Sequence, residues 1–219
     1  MVQKLPGRRG RPRAFDPDAA LAQAVDAFWD AGFAATSLDD LTAATGMNRP
    51  SLYGAFGDKQ ALYRKAFDLY LERTRAAMAD AFGGDRPLRA DLRRAYDIGI
   101  SIYLSGGSGP RGCFIIGTAV AQAVTNPDIR AALADVLREI DDAFRARLAR
   151  AQRSGELSAD ADPAKLAKLA SATLYSLTIH ARAGAGQPAL EAIADAAVEV
   201  ICGPEKRAGR QRGGRGASS

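Results

Sequence analysis

Residues 36–59, Thr-Ser-Leu-Asp-Asp-Leu-Thr-Ala-Ala-Thr-Gly-Met-Asn-Arg-Pro-Ser-Leu-Tyr-Gly-Ala-Phe-Gly-Asp-Lys, constrain this chain more than any other stretch. They read as two short helices joined by a tight turn. Ser37 is a natural N-cap, and Asp40 three residues on can reach back to complete a capping box. Leu41 and Ala44 give the first helix a small apolar face. Gly46 supplies the left-handed residue that stops it. Asn48 caps the second helix, and Pro50 falls in its first turn, where a missing N–H costs little. Leu52 and Phe56 share one face at i, i+4, which leaves Arg49, Ser51 and Tyr53 for the other. That is the layout of a helix-turn-helix, with a first helix lying across the nucleic-acid backbone and a second presented to the major groove.

The charge distribution fits such a partner. The formal net charge is +5, but residues 1–15 alone carry +5 and residues 204–219 carry +4, so the body between them carries −4. A basic arm beside a helix-turn-helix, with Arg11 and Arg13 nearest the domain, can follow phosphates or enter a minor groove. The Gly/Arg-rich tail at 204–219 reads as a solvated end. No apolar run approaches the 18 residues that a membrane span requires. The basic start lacks the apolar stretch of a signal peptide, which argues against export. The two cysteines, Cys113 and Cys202, stand 89 residues apart. That spacing argues against a disulfide framework and suits a reducing cytoplasm.

The periodicity predicts nine helices and no strand. Helix 1 starts at Asp16-Pro17 and reaches Ala31, with Leu21, Val25, Phe28 and Trp29 on one stripe. The two short helices follow. A fourth helix starts after Asp58 and reaches about Phe82, where Gly83-Gly84-Asp85 breaks the chain. A fifth covers about 87–104, and a Gly-rich loop follows to Gly112. A sixth, about 113–124, is apolar enough to be largely buried. Asn126-Pro127-Asp128 opens a seventh that reaches about Ser154. Asp162-Pro163 opens an eighth that ends near Arg182, and a ninth covers about 188–201. The resulting division is a basic arm (1–15), a helix-turn-helix domain (16–62), a larger helical domain (63–203) and a basic tail (204–219).

Residues 15–67 resemble the DNA-binding domain of the TetR/AcrR family of bacterial transcriptional regulators. Ala24, Phe28, Gly32, Phe33, Thr36, Ser37, Leu41, Gly46, Leu52, Tyr53, Phe56, Lys59 and Leu62 carry the resemblance. The run Leu-Tyr-x-x-Phe followed by Gly-Asp-Lys-x-x-Leu is specific, because three helices must agree in spacing. The resemblance implies an all-α fold and a dimeric, effector-responsive regulator, most often a repressor, that reads a pseudo-palindromic operator. It makes Thr36, Tyr53 and Lys59 phosphate contacts, with Ser37, Asn48 and Pro50 beside them. Arg49, Ser51 and Gly54 are then placed to meet base edges, Gly54 by allowing close approach.

By the same resemblance the two terminal helices form a dimer interface over 162–202. Leu166, Leu169, Ala170, Thr173, Leu174 and Leu177 recur at 3–4 spacing there, and so do Ile193, Ala196 and Val200. The larger domain is expected to enclose a small-molecule effector. Tyr96, Ile100, Tyr103 and Cys113 are candidate walls, as are Phe114, Gly117, Tyr175 and His180. Several regulators of the family carry a Gly-Cys where this chain has Gly112-Cys113, and some are thought to sense electrophiles or oxidants through it, so the resemblance implies a small-molecule or electrophile effector with Cys113 as the candidate sensor. A helix start and Arg111 favour a thiolate at Cys113, whereas its apolar neighbours oppose one.

Other chemistry finds little footing. His180 is the only histidine, so any catalytic triad would need it. No cysteine–histidine cluster suits a metal, and the sequence implies no cofactor. The 106–112 loop lacks Gly-Lys-Ser/Thr and a preceding strand, so it is not a phosphate loop. Asp39-Asp40 and Asp141-Asp142 point to different faces of their helices. The competing readings are an all-helical carrier or enzyme with an incidental helix-turn-helix, and a constitutive DNA-binding protein with no effector.

Overall fold

The computed structural model describes residues 16–106 and 109–204. Arg11, Arg13 and nearly all of the basic tail lie outside the described residues. Among these residues the chain forms nine α-helices and no strand. In order they are α1 (Pro17–Ala35), α2 (Leu38–Thr45), α3 (Arg49–Phe56), α4 (Lys59–Phe82) and α5 (Leu88–Leu104). A π-helical turn, Ile115–Ala119, leads into the short α6 (Val120–Gln122), and α7 (Pro127–Arg153), α8 (Pro163–Arg182) and α9 (Gln187–Cys202) complete the chain.

Local chemistry sets most of the helix starts. Asp16, Ser37, Asn48, Asp58, Asn126 and Asp162 each accept a backbone N–H from their own first turn. At Ser37 the capping box is complete, with the Asp40 carboxylate accepting from the Ser37 N–H at 2.8 Å. Those Ser37 hydrogen bonds hold the Asp40 carboxyl below its ordinary pKa. Gly46 closes α2 at φ 64°.

The head is α1–α3 packed on the start of α4. Phe28, Phe33 and Tyr63 form its aromatic centre, with Tyr63 5.3 Å from Phe28 and 5.1 Å from Phe33, centroid to centroid. Helix α4 belongs to both parts. Its first half buries Leu62, Tyr63 and Phe67 against the head, and its second half borders the body. In the body, α5 and α7 are tied by Asp91, which is fully buried. Arg147 Nε donates to Asp91 Oδ2 at 2.5 Å, and Arg86 Nε donates to Oδ1 at 2.9 Å. A buried carboxylate of this kind persists only with such partners.

The sixth segment differs from the expected buried helix over 113–124. Phe114 and Ile115 are buried, but Val120 and Val124 are 49% and 74% exposed. Only the first half packs on α1 and α4. Its backbone widens into the π-turn where Gly117 meets Arg182. A Cβ on Gly117 would lie 2.2 Å from Arg182 Nη1.

Candidate nucleic-acid interface and effector cavity

Helix α3 presents Arg49, Pro50, Tyr53 and Gly54 to solvent, while Leu52 and Phe56 anchor it to the head. Tyr53 is 43% exposed. Among the described residues, nothing outside the chain neighbours and backbone of its own helix lies within 4 Å of where a Cβ on Gly54 would sit. The fold therefore does not require glycine there. An alanine would favour the helix by about 1 kcal/mol. Asn48 Oδ1 is occupied by the Ser51 N–H at 2.9 Å. Lys59 Nζ sits 4.5 Å above the Phe33 ring at the start of α4.

Thr36 is a correction to the phosphate set. It is 1% exposed, and its hydroxyl donates to Gly32 O at 2.6 Å. The proton that a phosphate would accept already closes the end of α1. Arg49 is exposed as expected, but its Nη2 donates to Asp39 Oδ1 of α2 at 2.7 Å.

A cavity of about 50 Å³ lies between α4, α5, α7 and α8. Of the expected wall residues, Tyr103, Cys113 and Tyr175 line it. The other five do not, and each is held elsewhere. Tyr96 is fully buried and donates to Ala170 O at 3.2 Å. Ile100 is sealed in the core. Phe114 fills an aromatic cluster with Trp29, Tyr63 and Tyr70. Gly117 is covered by Arg182, and His180 is exposed near the end of α8. Sequence reasoning missed the α4 wall of Tyr70, Thr74 and Met78, and the α7 wall of Val136 and Ile140. The four-residue spacings of Tyr70, Thr74 and Met78, and of Val136 and Ile140, were the available signals.

Among the described residues, the cavity lining includes no acidic or basic side chain. Burial pushes the thiol of Cys113 and the hydroxyls of Tyr70, Tyr103 and Tyr175 above their ordinary pKa values. All four are therefore neutral at pH 7. Desolvation thus outweighs the helix start at Cys113, whose sulfur accepts from Tyr70 OH at 3.6 Å. Arg111, expected beside the thiol, turns away from it. It stacks 4.2 Å over the Trp29 ring and donates to Asp26 at 2.8 Å. Outside the cavity, between α4 and α7, an open cleft of about 540 Å³ shares Thr74, Met78, Val136 and Ile140 with it.

Gly112 joins this cavity to the head. Its N–H donates to Tyr103 O at 3.0 Å, and its carbonyl accepts from Trp29 Nε1 of α1 at 3.1 Å. It sits at φ +66°, and a Cβ there would come within 2.8 Å of Arg182 Cγ. Only glycine satisfies both the backbone and the space.

On α8, Ala170, Thr173, Leu174 and Leu177 are buried within the protomer rather than displayed, and Leu174 lines the cavity. Their 3–4 spacing marks an inward face. Leu166 and Ile193 are half-buried. Leu169, Ala196 and Val200 are exposed, and so is Ile179, which the sequence pattern did not single out.

A capped helix-turn-helix on a larger helical body defines a DNA-binding regulator. Residues 20–66 match the family model for bacterial regulatory proteins of the tetR family, and residues 88–197 match the tetracyclin repressor-like C-terminal domain. The chain belongs to the TetR family of transcriptional regulators. It is 33% identical over 187 residues to the HTH-type transcriptional repressor ComR of Escherichia coli (strain K12), covering 85% of this chain and 89% of that one. Among solved structures it resembles a cysteine mutant of the TetR family regulator CifR complexed with 26-bp double-strand operator DNA. That match has 33% identity and a TM-score of 0.76, and covers 88% of this chain and all of the other. A TetR regulator from Chloroflexus aurantiacus J-10-FL is 26% identical with a TM-score of 0.71, over 85% of this chain and 91% of that one. Among the described residues no helix is long and apolar enough to cross a membrane, and no cluster of His, Cys, Asp and Glu could hold a metal.

Proposed function

We propose that this chain acts as a homodimeric repressor, released from its operator by a small uncharged effector held between α4, α5, α7 and α8. The observation that carries the reading is the continuity at 112–113. Cys113 lines the cavity, and the adjoining Gly112 holds Trp29 of the head. A molecule that displaces this loop segment acts directly on α1. The cavity's neutral lining selects against charged effectors, since a buried ion there would find no partner. Its present volume is below the several hundred Å³ usual for ligand sites. Entry from the α4–α7 cleft, past the flexible Met78, would merge the two spaces.

On the DNA side, Arg49, Pro50, Ser51 and Gly54 meet base edges. Tyr53, Lys59 and Asn48 contact phosphates, and Arg11 and Arg13 reach along the backbone; Ser37, whose N–H and hydroxyl both go to Asp40, is not among the phosphate donors. The dimer forms through the outer faces of α8 and α9, around Leu169, Ile179, Ala196 and Val200. The repressor names of the relatives support the sign of regulation.

Trp29 is the only tryptophan, so its emission reports on the junction. Uncharged aromatic and carbonyl compounds should shift that emission and release operator DNA, whereas carboxylates of similar size should do neither. A panel in which only charged compounds act would refute the reading.

A further inference from the structure

Asp39 and Arg49 face each other across the turn of the helix-turn-helix. Asp39 lies in the first turn of α2, and Arg49 is the first residue of α3. The guanidinium donates through Nη2 to Asp39 Oδ1 at 2.7 Å. The two side chains are 56% (Arg49) and 76% (Asp39) exposed. An ion pair this exposed contributes little to folding. A carboxylate on the face that meets a polyanion also works against binding in general. Its presence therefore needs a reason other than stability or raw affinity.

We propose that Asp39 is a specificity-determining positioning residue. It braces Arg49 so that the remaining guanidinium donors meet one guanine in each operator half-site. The proposal rests on the reading of α3 as the recognition helix and of Arg49 as a base reader. An arginine fork matches the O6 and N7 acceptors of guanine in the major groove. A free arginine of this length has several alternatives, including a swing onto phosphate, where any sequence serves. Bracing closes that route and offsets part of the ordering entropy in advance, worth roughly 2- to 13-fold in affinity. The Asp39 charge meanwhile weakens binding to DNA that lacks the guanine.

The test is selection from a random duplex library with wild type, Asp39→Ala and Arg49→Ala, followed by titration of the best duplex and its single-base variants. Wild type should show a guanine preference at one position per half-site, and Arg49→Ala should flatten that position. Asp39→Ala should weaken the same preference roughly 2- to 13-fold, tighten binding to an unrelated duplex, and leave preferences elsewhere unchanged. An Arg49→Ala profile identical to wild type would overturn the assignment of Arg49 to bases, and the bracing with it. If Arg49→Ala flattens the position while Asp39→Ala keeps the guanine preference, the bracing is overturned and the Arg49 assignment stands. The bracing is overturned likewise if Asp39→Ala strengthens binding to all duplexes alike.

Discussion

Replacing Trp29 by phenylalanine tests the weld between head and body. Trp29 is 6% exposed, and its indole N–H is the donor to the Gly112 carbonyl at 3.1 Å. Phenylalanine keeps a ring but removes that donor. The orphaned carbonyl costs about 1–3 kcal/mol in a buried setting. Arg111 also loses part of its ring contact, now at 4.2 Å, worth about 0.5–1 kcal/mol. The expected destabilisation is therefore about 1.5–4 kcal/mol. For a chain of this size that lowers the melting temperature by roughly 3–16 °C. Urea unfolding followed by circular dichroism measures the loss directly. The variant should also respond more weakly to effector than its DNA affinity alone explains, because the loop segment at 112–113 no longer pulls on α1. A loss below about 1 kcal/mol, the scale of one ordinary hydrogen bond, with an unchanged effector response, would refute the weld.

Five further outcomes follow from the same geometry. Leu169→Glu, on the exposed face of α8, should give a folded monomer by light scattering. Leu174→Ala, which opens space beside Gly99, should keep the dimer and cost about 2–5 kcal/mol in urea. Gly54→Ala should hold or raise the melting temperature and weaken operator binding, because the added methyl meets DNA rather than protein. Cys113 should alkylate slowly at pH 7, since burial raises its pKa, and Cys113→Ser should leave operator affinity unchanged. Arg75 bonds Glu139 through two 2.7 Å contacts and lowers its carboxyl below the ordinary 4.5. The folded value lies below the unfolded one, so this contribution is present above about pH 4.5 and fades as pH falls through the folded value. Acid titration of Glu139→Gln should lack that component.

The helix starts were legible because their causes are local. Asp16, Ser37, Asn48, Asp58, Asn126 and Asp162 act on N–H groups two or three residues away, so sequence alone placed them. The π-turn at Ile115–Ala119 was not, because its neighbour Arg182 lies 65 residues on from Gly117. The two faces of α8 show the same limit. Leu169 and Leu174 have equal apolar character, and only the packing of α5 against α8 decides that Leu174 points inward. Cys113 shows it for electrostatics. Helix start and burial were visible as opposing effects, but their balance depends on exposure, and burial prevails. Thr36 looked like a surface hydroxyl until the break in α1 at Gly32 supplied it an acceptor.

On the proposed function, α3 reads DNA sequence as one of a symmetric pair. Hydroxyl-radical footprinting of the purified protein, on a fragment it selects from genomic DNA, is the test. Two protected patches are expected on one face of the duplex. They should be related by a local dyad, with centres about one helical turn or a multiple of it apart. Tyr53→Ala and added salt should weaken both patches together. A single patch, or uniform protection with no fragment preferred, would contradict it.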